Sequence, residues 1–72
     1  MGHKYPLLKP DEVINALSKR GFQYRNRKGS HAKYSNGYRT AIVPIHDEIA
    51  RGTLKSILIQ ADIKLEDFLK LL

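Results

Sequence analysis

The sequence predicts one α+β domain: helices on one side of a three-stranded antiparallel sheet, in the order α-β-β-β-α, closed by a short terminal helix. Three observations lead there. An apolar stripe at helical spacing near the start ends at a glycine, two more such stripes fill the last third, and between them lies a run of alternating residues broken by glycine turns. With 72 residues, of which 42% are hydrophobic, the chain has material for one small core.

Each element has a local reason. Residues 1–8 read as a tail, because Pro6 and Pro10 disfavour an earlier helix, and the domain is expected over residues 9–72. Pro10 suits a first helical turn, and Asp11 and Glu12 favour the positive end of the helix dipole. Val13, Ile14 and Leu17 make the apolar stripe; Lys19 and Arg20 end the helix, with Gly21 as its C′ residue, so the first helix is expected over roughly 10–20. Phe22 to Arg27 alternates as a half-buried strand, Lys28-Gly29 turns, and Ser30 to Ser35 forms a second strand. Asn36-Gly37 predicts a two-residue type I′ hairpin into a third strand, Tyr38 to Val43, ended by Pro44. Thr53 is the expected N-cap of the next helix, whose stripe is Leu54, Ile57, Leu58 and Ala61. Leu65, Phe68, Leu69 and Leu72 line the last short helix.

Alternation also assigns faces. Phe22, Tyr24, Ala32, Tyr34, Thr40 and Ile42 are expected to face the helices, which sends Arg25, Arg27, His31, Lys33 and Arg39 to the open face. Ala41 and Val43 then fall on the open face as well, where they fit poorly.

Charge narrows the function. The net charge is +6, and no acidic residue lies between Glu12 and Asp47, where Lys19, Arg20, Arg25, Arg27, Lys28, Lys33 and Arg39 are found. Such a segment suits a phosphate backbone or an acidic protein. The absence of cysteine excludes disulfides and cysteine-based zinc sites and fits a reducing cytoplasm. The N-terminus has no apolar signal-peptide core, and no apolar run is long enough to cross a membrane. No metal site is expected: His46-Asp47-Glu48 are adjacent, so their side chains diverge, and no second ligand set accompanies them.

The chemistry centres on His31, which sits among Arg25, Arg27, Lys28 and Lys33 just after Gly29 and Ser30. A histidine near its reference pKa of ~6.5 can take the proton of an RNA 2′-hydroxyl or give one to the departing 5′-oxygen. Cations offset the charge that builds on the phosphorus oxygens; Lys33 and Lys28 are placed for this, and Arg25, Arg27 and Arg39 for flanking phosphates. Gly29 lets the backbone approach a ligand, and Ser30 can donate to phosphate. A second proton-transfer group stays open among Lys28, Lys33 and a tyrosine.

Beyond these readings, the element order resembles a double-stranded-RNA-binding-type fold. Lys28-Gly29-Ser30-His31, Ala41-Ile42-Val43-Pro44-Ile45-His46 and the run Gly52-Thr53-Leu54-Lys55-Ser56-Ile57-Leu58-Ile59-Gln60-Ala61 are similar to blocks of the HicA family of toxin mRNA interferases. Asp11 to Leu17 and Gly21-Phe22 fit that family's first helix and turn. The resemblance implies an endoribonuclease that cleaves mRNA and arrests translation, with no metal or other cofactor. It implies that His31 is catalytic, and that a HicB-type antitoxin covers the site. Asp62 stands where the family commonly has glycine, but aspartate tolerates a left-handed backbone, so the turn is expected to survive. The alternative reading is an RNA-binding module that does not cut; fold alone would favour it.

Overall fold

The computed structural model describes residues 4–72 and has the expected order. Helix α1 (Pro10–Ser18) is followed by strands β1 (Gln23–Lys28), β2 (His31–Ser35) and β3 (Thr40–Pro44), then by α2 (Arg51–Ala61) and α3 (Leu65–Leu69). The strands form one antiparallel sheet in the order β1-β2-β3. No helix among the described residues is long and apolar enough to cross a membrane.

Helix α1 begins as its sequence indicates. Pro10 occupies the first turn, and the Glu12 carboxylate accepts a hydrogen bond of 2.9 Å from the Lys9 N–H, tying one end of the helix to the chain before it. Its regular turns stop at Ser18, before the expected Arg20. The Phe22 N–H reaches back to the Leu17 carbonyl at 3.2 Å, and Gly21 takes φ +81°, so Lys19 to Gly21 form the closing turn. Val13, Ala16 and Leu17 are buried.

The core joins these residues to Phe22, Ala41, Val43, Ile49, Leu54, Ile57, Leu58, Ala61, Ile63 and Phe68. Leu8 is buried too, and its carbonyl accepts a 2.7 Å hydrogen bond from the Ile49 N–H, so the chain ahead of α1 is stitched to the chain ahead of α2. The Arg51 Nε donates to the Tyr5 carbonyl at 2.8 Å on the same side. Met1, Gly2 and His3 of the expected tail lie outside the described residues.

Helix α2 starts earlier than expected. Thr53 is not its cap: the helix begins at Arg51, Ala50 precedes it in extended backbone without a side-chain cap, and the Leu54 N–H bonds to the Ala50 carbonyl at 2.9 Å. Burial of both Ile49 and Leu54 sets where the chain must turn, and a missing cap costs only about 1 kcal/mol. At the other end Asp62 takes the left-handed conformation (φ 57°, ψ 48°), as expected, and the Ile63 N–H bonds to the Leu58 carbonyl at 3.0 Å. An aspartate there is more strained than a glycine, and its exposed ion pair with Arg39 returns little. Asp62→Gly is therefore expected to raise stability by up to ~1 kcal/mol, several degrees in a thermal melt; an unchanged or lowered melting temperature would contradict this.

The sheet pairing corrects two face assignments. Ala32 pairs with Val43 and Tyr34 with Ala41, and antiparallel partners share a face. Ala41 and Val43 therefore turn to the helices, fully buried, while Thr40 and Ile42 do not. Any loop with an even number of residues pairs even positions of β2 with odd positions of β3. Alternation counted along β3 by itself puts Thr40 and Ile42 inward, and this pairing rule overrides it. The hairpin loop itself is not the two-residue type I′ turn: it spans 36–39, and of its residues only Gly37 has positive φ.

The second correction concerns β1. A bulge at Arg25 shifts the register between Tyr24 and Asn26, so Tyr24 opposes Tyr34, Asn26 opposes Lys33, Arg27 opposes Ala32 and Lys28 opposes His31. Arg27 thus lies on the helix side, not with His31, and Asn26 and Lys28 take its expected place. Every residue of β1 is exposed, so no burial enforces the simple alternation on which the expectation rested.

Candidate functional site

The face of the sheet turned away from the helices can be laid out from the register alone. Its first row runs Lys28, His31, Pro44, its second Asn26, Lys33, Ile42, and its third passes through Ser35 and Thr40. His31 opens β2 immediately after the turn, with Lys28 directly across on β1 and Lys33 one place along its own face. Side chains paired across antiparallel strands start from Cβ atoms about 4.5–5.5 Å apart. Lys28 is thus the cross-strand neighbour of His31, and Lys33 is its neighbour on the same face of β2. His31, Lys28 and Lys33 are all exposed.

The turn that presents His31 is the two-residue loop Gly29-Ser30. Gly29 has φ +60° while Ser30 does not share the positive φ, the pattern of a type II′ hairpin, which needs glycine at its first loop position. The space around Gly29 is open, so this backbone, and not crowding, is what selects glycine. The Ser30 carbonyl accepts a 2.6 Å hydrogen bond from the Ile45 N–H, which extends β2–β3 pairing past Pro44 and anchors the turn. Ser30, next to His31 in the chain, is half-buried.

The remaining expected cations separate. The Arg27 Nε donates to the Gly29 carbonyl at 2.7 Å, so its guanidinium braces the turn from the helix side. Arg25 is the bulged residue. Arg39 lies in the loop at the opposite end of the sheet, where it makes a 3.4 Å ion pair with Asp62, both side chains more than half exposed. The structure thus gathers Lys28, Gly29, Ser30 and Lys33 beside His31, and does not bring Arg27, on the other side of the sheet, or Arg39, at its far end, to that centre.

The tyrosines left open for proton transfer are also placed. Tyr24 and Tyr34 meet edge to face, centroids 5.8 Å apart, on the helix side of the sheet. Burial, and next the neighbouring Tyr24, hold the Tyr34 phenol above its ordinary pKa, with Arg27 acting in the opposite sense. Neither ring is on the His31 face, which leaves Lys28 and Lys33 as the ionisable neighbours there.

Sequence reasoning missed Asn26, an amide on the His31 face beside Lys33. The only hint was that Arg25 to Lys28 contain no apolar residue to set their parity. His46 lies on the surface loop after β3, where it lines an open cleft with Lys9, Pro10, Asp11, Ile45, Asp47 and Glu48. Among the described residues no group of three or more His, Cys, Asp or Glu side chains is placed to hold a metal ion.

Comparison with known proteins bears on what such a surface belongs to. A family model described as HicA toxin of bacterial toxin-antitoxin matches residues 10–63, which spans α1 to the end of α2 and includes the whole sheet. A comparison with curated proteins finds no match.

Proposed function

Because the chain belongs to the HicA toxin family of bacterial toxin-antitoxin systems, its match covering residues 10–63 of 72, we propose that it is an endoribonuclease that cleaves mRNA and so stops translation. In this reading His31 is the general acid/base. Arg25, Arg27, Lys28, Gly29, Ser30, Lys33 and Arg39 hold the RNA, and a HicB-type antitoxin in the same cytoplasm covers the site. The observation that carries it is the placement of His31 across from Lys28 and next to Lys33 on the sheet face opposite the core.

The mechanism follows from that placement. The imidazole takes the proton from a 2′-hydroxyl, and the 2′-oxygen forms a bond to the adjacent phosphorus. The bond from phosphorus to the 5′-oxygen breaks, leaving a 2′,3′-cyclic phosphate, and the 5′-oxygen acquires a proton from imidazolium, lysine or water. Negative charge builds on the non-bridging oxygens, and the Lys28 and Lys33 ammonium groups offset it. In this reading the Ser30 hydroxyl and the backbone at Gly29 donate to the same phosphate. The chemistry uses only these side chains, so cleavage is expected to proceed in excess EDTA.

The test is cleavage of a labelled, mostly single-stranded RNA by purified protein with EDTA in excess. Cutting supports the enzyme; binding without cutting across varied RNAs would make the protein a passive RNA-binding module instead. Lys33→Ala is expected to weaken RNA binding and to reduce the slope of log K against log salt by about 0.7, one phosphate contact on a single strand. An unchanged slope would remove Lys33 from the phosphate path.

A further inference from the structure

Tyr38 is the most exposed large apolar side chain of the described residues, at 94%. The other tyrosines are packed: Tyr5 and Tyr34 against the core, Tyr24 against Tyr34. Yet the loop carrying Tyr38 is held firmly. The Asn36 side-chain oxygen accepts from the Tyr38 N–H at 2.9 Å and from the Arg39 N–H at 2.7 Å. The Ser35 hydroxyl oxygen accepts from the Gly37 N–H at 3.1 Å, and the Asn36 N–H donates to the Arg39 carbonyl at 3.2 Å. A ring in water on a backbone already ordered loses little entropy when a flat partner stacks on it.

Its surroundings indicate the partner. Arg39 follows directly, and among the described residues its guanidinium is tied only by the exposed contact with Asp62, which leaves it able to meet a phosphate. The loop closes the hairpin whose first strand carries His31 and Lys33, so a chain laid along the outer face of β2 passes His31, Lys33 and Ser35 before it arrives at Tyr38. His31 and Ser35 are about 13 Å apart at ~3.3 Å per residue, the reach of a short run of extended nucleotides. Lys33 along the path and Tyr38 with Arg39 at its end suit a single strand, whose phosphates meet lysine and arginine while an unpaired base meets the ring.

We propose that Tyr38 is a base-stacking residue for single-stranded RNA, with Arg39 on the phosphate beside that base, so that the hairpin tip grips the substrate a few nucleotides from His31. This deepens the RNA-cleaving reading and rests on it. The tip then helps to decide which nucleotides lie at the cutting position, since stacking strength differs among bases.

Binding is measured by titrating labelled single-stranded RNA into His31→Ala protein, in which the substrate stays whole, with and without a second change at Tyr38. Tyr38→Ala is expected to weaken binding about five- to hundredfold, and Tyr38→Phe, which keeps the ring, to bind within about twofold of the parent. Tyr38→Trp supplies the only tryptophan in the chain, and its fluorescence is expected to be quenched as RNA binds. In otherwise native protein, Tyr38→Ala is expected to slow cleavage of long RNAs and to leave cleavage of a dinucleotide, too short to reach the hairpin, unchanged. Equal RNA affinity of the Ala and Phe proteins, unquenched tryptophan, or equal losses on long and dinucleotide substrates would each overturn the proposal. So would a Tyr38→Ala protein that keeps its RNA affinity but no longer binds a protein antitoxin. If the parent protein binds no RNA at all, the RNA-cleaving reading falls and the stacking role with it. If it binds and cuts but ignores Tyr38, only the stacking role falls.

Discussion

His31→Ala is expected to reduce RNA cleavage by about 10²–10⁴-fold, the usual worth of a positioned proton-transfer group, with no loss of folding stability beyond ~0.5 kcal/mol. The separation of the two effects comes from position. His31 is exposed at the head of β2 and contributes nothing to the core, while its backbone pairing with Lys28 and Pro44 is available to alanine as well. Cleavage by matched preparations of native and His31→Ala protein, in EDTA, with circular dichroism melts beside it, makes the comparison. Equal cutting by both would remove His31 from the chemistry, whether the activity came from a contaminant or from another residue. A second reading of the same experiment concerns its partners: Lys28→Ala and Lys33→Ala are expected to act on kcat as well as on binding, because the proposed mechanism sets both ammonium groups against the charge that develops on the phosphate.

Phe68→Ala is expected to cost about 3–5 kcal/mol and to unfold much of the population at physiological temperature. Phe68 is the largest side chain with no exposed surface, and it is the only buried residue of α3. The helix is a five-residue turn, Leu65–Leu69, too short to persist by its own hydrogen bonds. Its ring therefore holds α3 against the rest of the core, and truncating it leaves a cavity and releases the helix together. A domain of 72 residues has a total stability of about 4–11 kcal/mol, so this one change removes a large part of it. A fall in melting temperature of roughly 12 °C or more is expected by scaling. A fall of only a few degrees would mean that α3 is not a structural part of the domain.

The two experiments probe opposite sides of one sheet. Ala41 and Val43 on β3 face α1 and α2, and the alternate positions of β2 carry His31 and Lys33 outward. Stability is drawn from one face and the proposed chemistry from the other. This arrangement lets a toxin carry a dense positive field on a small domain, because cations at the surface of a sheet stay solvated while the core beneath them contains no buried charge among the described residues.

What the chain determines by itself is what short-range physics controls. Pro10, Glu12 and Gly21 delimit α1; the stripe Leu54, Ile57, Leu58, Ala61 makes α2; and Asp62 accepts the left-handed turn that ends it. The glycine ahead of His31 and the acid-free run around it are equally plain, since both are features of neighbours in sequence. The element order and the centre of the candidate site follow from these. The tertiary structure alone decided which residues of β1 share His31's face. That depends on pairing between strands. The bulge at Arg25 moved Arg27 to the helix side and brought Asn26 and Lys28 to the outer one, whereas the loop at 36–39 has the same parity as the expected two-residue hairpin, which already sends Ala41 and Val43 inward. In β1 every side chain is exposed, and in β3 both parities carry apolar residues, so burial gives no local preference to read. The register is settled by the ladder of hydrogen bonds to β2 and by the helices that cover β3, contacts between residues far apart in the chain.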